Sequence, residues 1–462
     1  MRVLVTLLLV ASVLAASCAT GIDMDYYRDV DDMLAQGRGE EAARLVKSAG
    51  RDVYGDRNRL LYHLDLALAY QVAGQYKESA GQFETADGLA ADLYTKSLSG
   101  EAASLFTNDL SIPYAGEDFE RILLNVFNAM NYVMMGDAEG ALVEARRIDT
   151  KFTALEQEKG RYDREALALY LSGMLYENGD ELDNAYISYS KAASAYDSHS
   201  QLFELGVPHD LVQDVAYLGR RLSMDVPQAL LDAAGEVLQR QDTGEVVVLH
   251  YFGPGPRKVE QSVEVSLGEG FAIVQSVQVD SQDEQEVRKT LSAAKGMLST
   301  TQVTIAYPVF KQPALACHSA SVTVQGCGSA RSDLVANISR TAALNLEDRM
   351  GRVWSRIVAR AVLKFITART AGNIGEQATG NEGVGLLVQL FTQAALSATE
   401  EADLRGWRTI PAQVQMTRVR CPAGQYRVRV ENEGAAGPGT YREYEGVEVV
   451  HGRKTFLIAE CY

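Results

Sequence analysis

The sequence predicts a multidomain chain, an all-α helical solenoid followed by an α+β domain, and three observations predict it. The first half carries a recurring pattern of small and aromatic residues at helical spacing with few prolines. Near residue 241 the pattern changes to short alternating or apolar runs bounded by Gly and Pro, which read as strands. Helical stretches interrupt these strand groups, the mark of an α+β arrangement.

The repeat is carried by "ALAYQVAGQYKESAGQFETA", with Ala67, Tyr70, Ser79, Phe83 and Ala86 in one register. "AMNYVMMGDAEGALVEARRI" places Ala129, Tyr132, Ala141, Ala145 and Ile148 at identical spacing, and "GMLYENGDELDNAYISYSKA" does so with Gly173, Tyr176, Ala185, Tyr189 and Ala192. A degenerate copy offers Met33, Ala42, Val46 and Ala49. Small residues at these marks let antiparallel helices approach closely while the aromatic fills the space beside them. Gly37, Gly74 and Gly136 each stand five residues before the next small mark, where a left-handed turn is required. In the third copy Gly179 sits one place early, so that turn is expected to differ. The spacing resembles that of tetratricopeptide (TPR) repeats. A TPR-like solenoid spanning 18–240 follows, closed by "HDLVQDVAYLGRRL" and "PQALLDAAGEVLQR". Solenoids present a concave groove to partner segments, which makes Tyr70, Tyr132 and Tyr176 the candidate partner groove.

The second domain, 241–462, is expected to hold strands at 244–251, 258–266, 270–279, 302–309 and 319–325, then helices including 332–350 and an apolar one at 384–398. It closes with strands at 410–420, 425–431, 441–450 and 454–461, read as antiparallel β-hairpins. "CPAGQYRVRV" reads as one such hairpin, with Tyr426, Val428 and Val430 inward and Arg427 and Arg429 outward.

At the other end, Arg2 precedes an apolar run from Val3 to Ala16 and then small residues and Cys18, the layout of a secretory signal. The run is shorter than the ~20 residues of a spanning helix. It resembles a bacterial lipoprotein signal, with Ala15 where Leu is usual. That resemblance implies cleavage of residues 1–17, acylation of Cys18, and, with Ala19 following, sorting to the outer membrane. The lipid anchor would be the membrane contact of the chain, facing the periplasm or the cell surface.

The composition, 47% hydrophobic and 23% charged, is that of a globular protein, and the net charge of −17 argues against nucleic acid and anionic surfaces as partners. Cys317, Cys327, Cys421 and Cys461 form an even set in an exported chain and are candidate disulfides. Three pairings are possible, and proximity favours Cys317–Cys327 with Cys421–Cys461. Against the acidic background, Arg418, Arg420, Arg427 and Arg429 form a candidate anion contact.

Catalytic motifs are weak. The six His lack metal-ligand spacing, no CxxC supports zinc, and "GPGPRK" lacks the spacing of a phosphate loop. The pairs Ser188/Lys191 and Ser292/Lys295 match S-x-x-K without the accompanying elements of penicillin-binding enzymes. No metal, cofactor or catalytic residue is therefore expected.

Glu401, Asp403, Arg405, Trp407 and Pro411, together with "MGRVWSRIVARAVLKF" and the repeats, resemble an uncharacterised family of bacterial TPR-containing lipoproteins. Relatives in that family tend to be encoded near lipoproteins that activate peptidoglycan synthases. The resemblance implies an envelope scaffold that binds a periplasmic or outer-membrane protein; the alternatives are an envelope enzyme acting on peptidoglycan or glycan, or a surface or export-complex accessory.

Overall fold

The computed structural model describes residues 24–104, 110, 112–159, 165–237, 240, 243–266, 302–351, 353–354, 402–434 and 441–462. The signal segment, Cys18, the strand expected at 270–279 and the apolar helix expected at 384–398 lie outside these residues.

The N-terminal region is helical: α1 (Met24–Ala35), α2 (Gly39–Tyr54), α3 (Arg59–Val72), α4 (Tyr76–Ser104), α5 (Asp118–Met134), α6 (Ala138–Lys159), α7 (Ala166–Asn178), α8 (Leu182–Ser198), α9 (His209–Leu222) and α10 (Gln228–Ala234). From α1 to α8 each helix packs against the next in sequence, and α9 packs on α8 and α10. The marks of the repeat are the contact points: Ala67, Phe83, Ala86, Ala129, Ala145, Ile148, Ala185, Tyr189 and Ala192 have no exposed surface. Gly173 shows why a small residue is needed, since a Cβ there would lie 2.4 Å from the Tyr189 ring. Ser79, in the place of an Ala, is satisfied by donating to the Ala67 carbonyl at 2.7 Å and accepting from Asn131 at 2.8 Å.

Four turns share one geometry. At the ends of α1, α3, α5 and α7 the amides of Arg38, Gln75, Asp137 and Glu181 donate to the carbonyls of Met33, Tyr70, Tyr132 and Tyr176. The residue before each donor is left-handed, at φ 68°, 73° and 75° for Gly37, Gly74 and Gly136 and 61° for Asp180. These are Schellman caps. The last of these turns therefore does not differ, contrary to the expectation from its displaced glycine: Asp180 takes the left-handed position, and Gly179 is free to sit under Leu142, where a Cβ would meet the side chain at 2.8 Å.

The second region is built from β1 (Thr243–Pro254), β2 (Arg257–Ser266), β3 (Gln302–Lys311), β4 (Ser319–Val324), β5 (Gly328–Arg331), β6 (Asp333–Asn337), β7 (Pro411–Pro422), β8 (Gly424–Glu433), β9 (Tyr441–Val449) and β10 (Lys454–Cys461). One sheet has the order β10-β1-β7-β6, another β5-β4-β8-β9, and β2 pairs with β3 as a ribbon. The segment expected to be helical from 332 opens instead as β6, and its helix runs over 338–351. "CPAGQYRVRV" is not a hairpin: β7 and β8 lie in different sheets, and Cys421 to Gly424 turns the corner between them. The inward and outward assignment along β8 does hold, with Val428 and Val430 buried and Arg427 and Arg429 exposed. Nor is β10 the arm of a terminal hairpin; it pairs in parallel with β1, from Glu245 beside Lys454 to Phe252 beside Cys461.

Side-chain parity then decides what each face meets. On β1, Val246, Val248 and Phe252 pack into the core between the two sheets, whereas Val247, Leu249 and Tyr251 join the core of the helices. β7 and β10 alternate likewise, with Val414, Met416, Phe456 and Ile458 on the helical side. A strand buried on both faces is apolar nearly throughout, which explains the run "VVVLHYF".

The disulfides follow from this sandwich and correct the pairing that proximity favoured. Cys317 bonds Cys461 and Cys327 bonds Cys421, closing sequence separations of 144 and 94. Each bridge ties the first sheet, through Cys461 of β10 or Cys421 of β7, to a residue flanking β4 of the second: Cys317 just before it and Cys327 in the turn after it. They sit at opposite ends of β1, because Cys461 is opposite Phe252 and Cys421 opposite Gly244.

Candidate functional site: the seam between helices and sheet

The inner helices α5 and α7 are buried on every side. All residues from Ile122 to Asn131 and from Ala166 to Glu177 are buried, one flank against neighbouring helices and the other toward the sheet. β10 packs on α5, β6 on α7 and β1 on α1. The surface expected to receive a partner segment is thus covered by the chain itself. Of the three tyrosines proposed to line it, Tyr176 is 2% exposed, and its hydroxyl donates to Asp149 at 2.6 Å. Tyr70 and Tyr132 are half-buried against the same core, and Tyr132 donates to Glu84.

At one end of the seam the segment 402–410 threads into the helices. Trp407 is 2% exposed and meets Phe83 and Phe127 edge-on, with centroids 5.9 and 5.5 Å away. Its backbone N–H donates to Glu120 at 2.7 Å, and Thr409 donates to Asp65 at 2.9 Å. Arg405 pairs with Asp403 at 2.8 Å and reaches the Ile112 carbonyl at 2.8 Å. Lys258 on β2 bonds Glu117 at 2.6 Å and the Arg405 carbonyl at 2.9 Å. The Asp-Arg-Trp residues read from the sequence therefore act as a structural tongue; Glu401 lies outside the described residues. Burial pushes the Glu120 carboxyl up to about 7 despite the donors from Trp407 and Tyr114, and pushes Asp65 up to about 6 despite Thr409, Tyr54 and Tyr27.

At the other end is a charged network. Arg418 on β7 is buried and binds Asp214 of α9 at 2.6 Å, Glu245 of β1 at 2.6 Å and the Tyr170 hydroxyl of α7 at 2.6 Å. Arg240 binds Asp214 and stands 3.1 Å from Glu177, which also takes Lys454 of β10. Burial alone would raise Asp214, but Arg418 and Arg240 outweigh it and hold the carboxyl below its usual range. Each of these charges thereby has an opposite partner in a place where an unpaired one would cost about 3–5 kcal/mol, although the Arg240 Nε is left buried without an acceptor.

The four arginines proposed as one anion contact are consequently not together. Alternation on β7 turns Arg418 and Arg420 toward the helices, and Arg418 is consumed by its internal partners. On β8, Arg427 and Arg429 face solvent and pair with Glu445 at 2.8 Å and Glu431 at 2.7 Å. Only Arg420 remains beside open space: a cavity of about 180 Å³ between the end of α7, α9, the start of β1 and the β9–β10 turn. Sequence reasoning missed Asp214 and Glu245 as the partners of Arg418, and Glu177 as the partner of Arg240 and Lys454. A charged residue interrupting an apolar helix or strand, as Asp214 and Glu245 do, is the signal that was there to read.

Among the described residues, no three His, Cys, Asp or Glu side chains converge on a metal-sized site, and no helix is long and apolar enough to cross a membrane. No family model matches the chain, and no curated protein matches it.

Proposed function

We propose that this chain is an exported lipoprotein of the bacterial envelope, tethered through Cys18, that works as a protein-binding scaffold built on TPR-like repeats in peptidoglycan assembly. The observation that carries the reading is the fourfold recurrence of one cap geometry at the positions the repeat spacing marks, since stacked helical repeats are an architecture used for docking. The two cross-sheet disulfides suit an oxidising compartment. The lipoprotein-like signal and the resemblance to TPR lipoproteins supply the envelope setting.

Because the inner surface is filled by the chain's own sheet, docking belongs on the outer helices. Val143 on α6 and Ile187 on α8 occupy the same position in successive repeats, two residues after Ala141 and Ala185, and are 42% and 48% exposed. In-cell photocrosslinking from Val143 and Ile187, with Tyr176 as the buried control, tests the reading. One envelope protein captured from both outer positions is expected; capture from neither would count against a docking role. Fatty-acid labelling that persists in Cys18→Ser would remove the tether.

A further inference from the structure

We propose that the seam cavity binds a phosphate monoester through Arg420 and Arg221. The inference stands apart from the scaffold reading and rests on the cavity alone. Its walls are fixed by backbone: Gly244 lets the β9–β10 turn fold over the start of β1, since a Cβ there would lie 2.2 Å from the Val450 carbonyl oxygen. Glu245 and Gly452 donate to the Arg453 and Thr243 carbonyls at 3.0 Å each and lock the turn down.

The lining holds five Arg or Lys, namely Arg221, Arg240, Arg420, Arg453 and Lys454, against three carboxylates. Each carboxylate is already taken. Glu177 receives Arg240, Lys454 and the Tyr189 hydroxyl; Asp180 receives Arg453 at 2.6 Å; Glu245 receives two bonds from Arg418. Arg420 is left with a 3.6 Å approach to an oxygen of Glu245 that Arg418 already holds, and its side chain, 22% exposed, lines the cavity. Asp210 of α9 lies within electrostatic reach of Arg420 but makes no ion pair among the described residues. Arg221 on α9 lines the cavity and is exposed, also without an ion pair among the described residues; exposed His451 is part of the same lining.

Two guanidinium groups that line one cavity, neither with an ion pair closer than 3.6 Å among the described residues, suit an anion in a protein whose net charge is −17. A tetrahedral oxyanion accepts from several directions at once, matching donors that come from a helix, Arg221, and from a strand, Arg420. The volume accommodates a phosphate and a small attached group, with Leu182 as the apolar wall.

The test is calorimetric titration of the full mature chain with inorganic phosphate and glycerol 3-phosphate. A single saturable site with a Kd on the order of 1 mM or tighter is expected. Arg221→Glu, which breaks no side-chain hydrogen bond or ion pair among the described residues, should weaken it by ~10- to 100-fold, and Arg420→Gln by a similar factor. Arg427→Glu, an exposed charge change outside the cavity, should leave it unchanged. Competition of glycerol 3-phosphate by phosphatidic acid vesicles identifies a headgroup as the source, and its absence a free ester; both keep the proposal. It is overturned if no saturable binding occurs, if Arg427→Glu weakens binding as much as Arg221→Glu, or if succinate binds more tightly than either phosphate.

Discussion

Glu120 and Asp65 sit where the tongue enters the helices, with relative exposures of 2% and 0%, and both titrate above the usual carboxylate range because burial penalises the charge. Asp31, close to Arg257 and Arg408, is pushed up to about 6 by the same cause. For such groups the folded chain binds more protons than the unfolded one between about pH 4 and 7, so stability falls as pH rises through that window. Asp214, Glu245 and Asp403 act oppositely: their carboxyls are held low, and their contribution is lost as pH falls below about 4. His250, which burial holds down at about 3, works against the raised carboxyls by ~2 kcal/mol at pH 5. The three raised carboxyls outweigh it, so the urea midpoint is expected to be higher at pH 5 than at pH 8, by ~3 kcal/mol in unfolding free energy, at about 1.4 kcal/mol for each tenfold change in a group's proton affinity. A midpoint that rises from pH 5 to pH 8 would contradict these assignments. At this scale the repeat marks were legible, because close helix packing demands small residues at fixed intervals. The left-handed role of Asp180 was not, since Asp adopts that backbone less readily than glycine and sequence spacing pointed to Gly179. The partners of Arg418 were hidden for another reason: Asp214 and Glu245 are 204 and 173 residues away in sequence.

Elements were easier to read than their pairings. Alternation and flanking Gly or Pro located β1, β2, β3, β4, β7, β8, β9 and β10 to within a few residues, yet nothing local said that β7 and β8 part into different sheets or that β10 returns beside β1 in parallel. Proximity is a poor guide to disulfides for the same reason, because sheet order and not chain distance brings sulfurs together. Digestion of the unreduced protein should yield peptides joined as Cys317–Cys461 and Cys327–Cys421, with neither of the alternative pairings. Replacing Cys327 and Cys421 by Ser is expected to destabilise the sandwich by ~2–5 kcal/mol, as for a bridge that closes a long loop. Recovery of Cys317 joined to Cys327 would place β4 elsewhere.

In the whole molecule, the apolar core is continuous from α1 through α9 into the helix-facing side of β1, β7 and β10. The sheet fills the array in cis, so the two regions are expected to unfold together, although the composition change near 241 reads as a simple boundary. The sequence could not show this, because an inner helix buried on both flanks looks the same as one whose second flank awaits a partner; only the unbroken apolar character of "ALALYLSGMLY" hinted at it. Trp407 stands at the join, between Phe83 of α4 and Phe127 of α5. With Trp354 replaced by Phe, the fluorescence of Trp407 during urea unfolding reports whether the sheet remains seated, while far-UV circular dichroism follows the helices. Coincident transitions are the expected result. A Trp407 transition at clearly lower urea, with the helical signal intact, would mean that the sheet lifts off independently and that the inner surface is open to a partner after all.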